Sequence, residues 1–426
     1  MIDIKEIRQN PEKFKKAATD KKFKVSIDVL LKVDGELLSE KQKLQDIATE
    51  KNQIGKSIPK LESTKKETAI EHLTELKKEE INISEKVRAI IQPKFDELML
   101  KVPQPPDEDV PLGKDDTESV EIRKEGQIRK FDFEPKDHVQ LGLALGIIDI
   151  ERGVKLAGTR NYFLKGDGAL LHWAVLRFAM NQMVGKGYVP LSVPVLMKRK
   201  AMMGTGFFPG AEEQTYQTVR DNLNLAGTAE VPMTAYRMGE ILKQDELPLK
   251  YVALSSCFRR EAGAAGKDTY GLYRIHQFDK VEQVIVCKNS VDESNRYHEE
   301  ILANAEAVMK ALELPYRIVN VCTGDLGRGQ AKKFDIEAWM PSRDSYCETH
   351  SASKFYDFQA RRMNLRYKEP ETRKNIFCHT LNNTVIASPR ILIPILELYQ
   401  TKDGSVTIPK VLQPYMSNRE KITRIS

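Results

Sequence analysis

Between Ser255 and Gln283 the chain reads SSCFRREAGAAGKDTYGLYRIHQFDKVEQ, a stretch whose side chains could grip a phosphate and a flat ring. Arg259 follows Phe258, Glu261 comes soon after, and Arg274, Phe278 and Glu282 stand beyond a Gly/Ala-rich segment. A guanidinium can clamp a phosphate with two parallel N–H donors, and an aromatic ring can stack on a base. Glu348 and Ser351 offer a carboxylate and a hydroxyl, hard oxygen ligands that suit Mg²⁺ also held by a phosphate tail. Pro389 and Arg390 stand before LIPILELY, where proline favours a helix start and the helix N-terminus attracts anions. Thr228 and Glu230, in TAEVP, could serve as a capping device ahead of a helix. Each also has a plainer reading alone: a surface ion pair, a cap, or two oxygens with no metal.

For Arg259 to meet Phe278, two strands must face each other. Leu249 to Phe258 and Gln277 to Cys287 carry strand formers, and turn chemistry with Lys267, Asp268 and Arg274 lies between them. The pattern predicts strand, long polar loop, strand. From Phe131 the composition turns globular and reads as loop, helix, strand, helix, strand. An amphipathic helix is expected from Gly168 to Lys186, then a strand from Tyr188 to Leu196 carrying Pro194, which an edge strand tolerates. Asp292 to Glu313 reads as a packed surface helix, and Glu348 and Ser351 fall near the end of a strand. Arg361, Arg362 and Arg366 read as structural ion pairs. HTLNNTVIASPRILIPILELYQ reads as strand, turn and helix.

The N-terminal quarter has another character. Residues 1 to 26 suggest one short helix, with Pro11 opening a turn and a basic cluster from Lys13 to Lys24 that suits a solvated face or a phosphate contact. Leu30, Val33, Leu37, Leu44, Ile47, Ile54, Ile58 and Leu61 then follow heptad steps, with Glu40 and Lys51 in the missing seam positions. Pro59 and the polar run Glu62 to Thr68 break the pattern. A second helix presents Ile70, Leu73, Leu76, Ile83, Val87 and Ile90 inward and is interrupted near Pro93. Two helices of roughly 30 residues make an antiparallel coiled-coil hairpin about 45 Å long. Taken alone, that hairpin reads as a plain coiled coil for protein association. KVPQPPDEDVPLG, from Lys101 to Gly113, is a boundary, followed to Lys130 by irregular structure or an edge strand.

Composition narrows the class. The chain has 426 residues, 30% of them charged, and a net charge of +6, which permits a nucleic-acid partner without demanding one. No apolar run approaches the ~20 residues of a membrane span. MIDIKEIRQNPEKF lacks the apolar core of a signal peptide, so a cytoplasmic location is expected. Cys257, Cys287, Cys322, Cys347 and Cys378 are scattered and never in C-x-x-C, which favours free thiols over a zinc site. No G-x-G-x-x-G or P-loop stands where a doubly wound nucleotide fold would need one.

F-R-x-E, a variable loop and R-x-x-x-F resemble motif 2 of class II aminoacyl-tRNA synthetases, and FRREAGAAGKDTYGLYRIHQFDKVE resembles the seryl-tRNA synthetase family specifically. The resemblance spans essentially the whole chain. It implies an α+β catalytic domain on an antiparallel sheet over residues 131–426, a linker at 103–130, and an N-terminal tRNA-binding domain over 1–102 with its arm at about 30–91. The resemblance places Pro194 at the motif 1 dimer interface and Arg390 in motif 3, and the DGSVTIPKVLQPYM ending with no long extension suits the bacterial type. His350, Lys354 and Asn383-Thr384-Val385 depart from residues the family often has there.

What the resemblance implies functionally is ATP-dependent activation of L-serine, then transfer of the seryl group to the 3′ end of serine tRNA, and of selenocysteine tRNA as well. Arg259 and Arg390 are the implied catalytic residues. Arg259, Glu261, Arg274, Phe278, Glu348, Ser351 and Arg390 would contact ATP, with Glu348 and Ser351 holding Mg²⁺. Thr228, Glu230, Arg259, Glu282 and Thr384 would surround serine. The implied partners are a second copy of the chain and the long variable arm of serine tRNA. Two other classes share parts of this pattern. An amino-acid ligase for a carrier protein would lack the arm, and a non-catalytic RNA-binding relative would not need the intact arginines and carboxylates.

Overall fold

The computed structural model of the protein describes residues 1–264 and 269–424; Lys267 and Asp268 lie outside the described residues. The chain divides into two compact units, Ile2–Pro105 and Pro106–Ser426.

In the first unit, the single helix expected before residue 26 is two, Ile4–Gln9 and Pro11–Asp20. Asn10 ends one and caps the other by accepting the Lys13 N–H, and Pro11 takes the first helical position, where no donor is required. The arm follows as Ile27–Ser57 and Ser63–Lys86. Pro59 lies in the tight turn Ile58–Lys60, but the polar run after Glu62 already belongs to the second helix. The seam buries Leu30, Val33, Leu37, Ile47 and Leu76. Its polar positions are paired, Glu40 with Lys86 at 3.1 Å and Lys51 with Glu80 at 2.5 Å.

Two seam expectations fail. Ile70 is 47% exposed and Ile90 is 63% exposed. Four residues back from Leu73 is Ala69, the better covered neighbour of Ile70. Val87–Ile91 forms one turn of π-helix, which inserts an extra residue and brings Ile91 inward in place of Ile90. The interruption expected near Pro93 is this π-turn, after which the helix continues as Gln92–Lys101 with Pro93 in its first turn.

In the second unit the largest sheet among the described residues has eight strands. Their spatial order is Val120–Glu125, Tyr316–Asn320, Lys332–Met340, Ser345–Tyr356, His379–Ser388, Gln277–Cys287, Leu249–Phe258 and Val189–Leu191. Neighbours are antiparallel except the last pair, which is parallel. His379–Ser388 inserts between Ser345–Tyr356 and Gln277–Cys287, so three chain segments of interest become adjacent strands. The strand expected from Tyr188 to Leu196 stops at Leu191. Pro194, lacking a donor for the ladder, lies in a loop before Leu196–Lys198, which pairs in a separate small sheet. An unforeseen helix, Ile150–Ala157, stands ahead of Asp167–Gly185.

Alternation along the central strands divides the two faces. Val281, Ile285 and Cys287 point into the main core with the helices Asp167–Gly185 and Val291–Ala311. On the opposite face, Val284 and Val286 are covered by smaller clusters. Farther along that face, around Phe278 and Lys280, the sheet opens into a cleft. All five cysteines are free and buried, and no described helix is long and apolar enough to cross a membrane.

Candidate active site

The cleft is lined by Arg259, Glu261, Tyr273, Phe278, Lys280, Glu348, Ser351, Thr384 and Arg390, among others. Cys257 pairs with Phe278 in the ladder, and the Arg259 N–H continues the pairing by donating to the His276 carbonyl at 2.9 Å. The Arg259 guanidinium lies over the Phe278 ring, 5.2 Å from its centroid, and its Nε donates to the Gly227 carbonyl at 3.3 Å. Glu261 adopts a left-handed conformation with φ 50° and accepts from Arg274 at 2.8 Å. Arg274 therefore stands against Glu261 and is not part of the cleft lining.

Phe278, Lys280 and Glu282 occupy alternate positions of one strand and so share a face. Thr384 lies directly across from Glu282 and donates to its carboxylate at 3.3 Å. Lys280 is buried, forms an ion pair with Glu282 and reaches Thr384 Oγ1 at 3.3 Å. Lys280 is not among the residues that the sequence pattern singles out. Its signal is the two-residue period of F-D-K-V-E, which sets it between Phe278 and Glu282 on one face. Thr228 caps the turn by accepting the Glu230 N–H at 3.2 Å, and Glu230 accepts from Gln359 at 2.8 Å. Burial, aided by the charge of Glu282, pushes the Glu230 carboxyl up to about 7. Thr228, Glu230 and Glu282 are not part of the cleft lining. Glu230 and Glu282 are joined electrostatically to each other and to Lys280, forming an inner polar cluster.

Glu348 and Ser351 present a puzzle of spacing. Three residues apart, they would face opposite sides of a regular strand. In the ladder with Lys332–Met340, however, Ile336 pairs with His350 and Glu337 with Glu348, leaving Thr349 unpaired. That β-bulge brings both side chains to the cleft. It sits inside Ser345–Tyr356, not near a strand end as expected. Asp335 is directly across from Ser351, and its Oδ1 is buried without a hydrogen-bond partner. Burial and the neighbouring Glu348 charge raise the Asp335 pKa. Glu348 shifts the other way: burial opposes ionisation, but the charges of Arg390 and Lys333 prevail. Carboxylates, a hydroxyl and an orphaned oxygen form a donor set that fits a hard divalent cation.

Arg390 closes the cleft. It donates from Nε to the Tyr273 carbonyl and from Nη1 to the Glu348 carbonyl, both at 3.2 Å, and lies 4.4 Å from the Tyr273 ring centroid. His350 alternates to the other side of the bulged strand, and burial pushes its pKa down to about 4. Lys354 is buried against Asp107. Neither residue lines the cleft. Arg361 pairs with Asp357 at 2.6 Å, whereas Arg362 stacks on Phe358 and donates to the carbonyls of Met203 and Phe208.

Residues 1–106 match the family described as the seryl-tRNA synthetase N-terminal domain. Residues 214–399 match the tRNA synthetase class II core domain (G, H, P, S and T). The serine--tRNA ligase of Deinococcus radiodurans is 44% identical over 420 residues, covering 99% of this chain and 98% of that protein. That of Caldicellulosiruptor saccharolyticus is 45% identical over 424 residues, covering 98% and 99%. Among solved structures, seryl-tRNA synthetase from Pyrococcus horikoshii complexed with ATP superposes with a TM-score of 0.93 at 36% identity, covering all of both chains. The cytoplasmic enzyme of Naegleria fowleri in complex with AMP gives 0.88 at 31% identity, covering 98% and 96%.

Proposed function

The chain belongs to the seryl-tRNA synthetase family, and its reaction is ATP-dependent activation of serine followed by charging of tRNA; from that premise we propose how its own residues divide the work. Serine's carboxylate attacks the α-phosphate of ATP, forming the acyl–phosphate bond as the bond to pyrophosphate breaks. No strong base is required. Catalysis is alignment plus neutralisation of charge on the phosphate. Arg259 grips the α-phosphate and the incoming carboxylate, with Phe278 stacked on adenine and Glu261 orienting the base. Arg390 and Arg274 take the phosphate tail, Arg274 swinging from Glu261 to do so. Glu348 and Ser351 would hold Mg²⁺, with Asp335 across the ladder from Ser351. Bound there, Mg²⁺ supplies charge neutralisation across the phosphate tail.

Thr228, Glu230, Glu282 and Thr384 enclose serine, with Lys280 fixing Glu282. The observation that carries this reading is the adjacency of a hydroxyl-and-carboxylate cluster, Thr384–Glu282–Lys280, to the Arg259–Phe278 pair, with Phe278, Lys280 and Glu282 on one strand. A site built to hydrogen-bond a hydroxyl rejects analogues that lack it. Pyrophosphate exchange with each amino acid, followed by tRNA charging, tests the assignment. Serine should support exchange and alanine should not; comparable exchange with alanine refutes the pocket.

The first unit is the tRNA-binding domain, whose arm recognises the long variable arm of serine tRNA, and selenocysteine tRNA is a second substrate for charging. The exposed Trp173 and Val189 suit a homodimer contact through the Gly168 to Leu196 region. The enzyme works in the cytoplasm.

A further inference from the structure

Glu397 lies in the helix Leu392–Tyr399, is wholly buried, and is not among the residues lining the cleft. A buried carboxylate persists only where donors fill its lone pairs. Its Oε1 accepts from His138 N at 3.1 Å, His138 Nδ1 at 2.7 Å and Ser342 Oγ at 2.8 Å, and its Oε2 accepts from Ser342 N at 2.9 Å. On the far side of the imidazole, Nε2 accepts the Leu272 N–H at 3.2 Å, so the ring proton sits on Nδ1 and is donated to Glu397. Gly271 packs against the same ring. A Cβ there would come within 2.1 Å of Nε2, and its φ is +73°, so the contact demands glycine. Asp137 adds a second tie by accepting from the Tyr270 hydroxyl at 3.1 Å.

One carboxylate thus fastens two distant segments, one ending at Leu272 and the other at Ser342. Their next residues are Tyr273 and Arg343. The Tyr273 ring carries the Arg343 guanidinium 4.1 Å from its centroid and that of Arg390 at 4.4 Å. Tyr273 and Arg390 line the cleft. The serine-side residues are anchored elsewhere, Lys280, Glu282 and Thr384 on their own strands and Glu230 on Gln359.

We propose that Glu397, acting through His138 and Ser342, is a positioning residue that sets the Arg343–Tyr273–Arg390 cluster and thereby the affinity of the cleft for the phosphate end of ATP. The inference rests on the proposed assignment of Arg390 to the nucleotide. Serine-dependent ATP–pyrophosphate exchange on the full-length enzyme tests it, with ATP and serine varied separately in wild type, Glu397→Gln, His138→Ala and the double variant. Glu397→Gln keeps the shape but puts an amide among donors. The KM for ATP should rise about tenfold, the scale of one lost charge-assisted hydrogen bond. The KM for serine should stay within about twofold. His138→Ala should reproduce the selective defect, and the double variant should be little worse than the poorer single, since both act through one connection. Equal rises in both KM values, additive defects, or a fall in kcat alone that tracks the folded fraction would overturn the proposal. If Glu397→Gln fails to fold, the KM split in His138→Ala decides. Absence of serine-dependent exchange in wild type would refute the proposed function itself, whereas normal wild-type exchange with an unchanged ATP KM in folded variants refutes only the role of Glu397.

Discussion

Lowering the pH from 7 to 6 should raise the KM for serine roughly fivefold by protonating Glu230. Burial first, and then the neighbouring charge of Glu282, raise this carboxyl from 4.5 to about 7. The shift amounts to about 3 kcal/mol of unfavourable ionisation in the empty pocket. An ammonium arriving between Glu230 and Glu282 relieves that repulsion, so serine favours the ionised form and its binding below pH 7 expels a proton. The assay is pyrophosphate exchange at saturating ATP from pH 6 to 7.5, paired with serine-binding calorimetry in two buffers of different ionisation enthalpy to count the released proton. Glu230→Gln should bind serine weakly at every pH and lose the slope. A flat KM in wild type, or the same slope in Glu230→Gln, refutes the reasoning. Without ligand the sign is opposite to that of an ordinary paired carboxylate. Because the folded pKa is raised, the stability this proton contributes is full below pH 4.5 and is lost as pH climbs through 7.

Arg259→Ala should abolish exchange while leaving the circular dichroism unchanged, a loss of about 3 kcal/mol or more of transition-state stabilisation; full exchange in the folded variant would move the active site elsewhere. Joining Ile27 to Val102 should spare exchange and raise the KM for tRNA steeply, and near-normal charging by that deletion would make the arm an association device. Wild-type charging should also weaken with added salt, since each phosphate contact releases counterions. Sedimentation should find a dimer at micromolar concentration, and a fully active monomer would remove the assigned interface.

Legibility from sequence followed the range of the interactions concerned. Arg259, Glu261 and Phe278 could be placed because short-range turn chemistry and strand composition determine that hairpin. The arm could be read because its seam is a local period. Ile90 falls out of phase because the π-turn ahead of Pro93 adds a residue that the heptad period does not carry. The strand through Pro194 was drawn too long because its end depends on where a parallel neighbour stops pairing. Lys280 is hard to read from sequence because its partners, Glu282 and Thr384, come together only when two strands pair. Glu397 stood in an apolar helix with no local partner, and its four donors come from His138 and Ser342, far away in the chain.

The bulge at Thr349 tolerates a change of length in one direction better than in the other. Glu337 and Ile336 already pair with Glu348 and His350. Removing Thr349 would therefore leave a regular ladder with the glutamate and serine two positions apart, still on one side, at the loss of local bend and twist. Adding a residue beside Thr349 would set them four positions apart, in a regular ladder still on one side but about 13 Å apart along the strand instead of about 7 Å, too far for one cation to meet both. Shortening and lengthening the strand by a single residue should thus have unequal consequences for the cleft, although each changes the chain by the same amount.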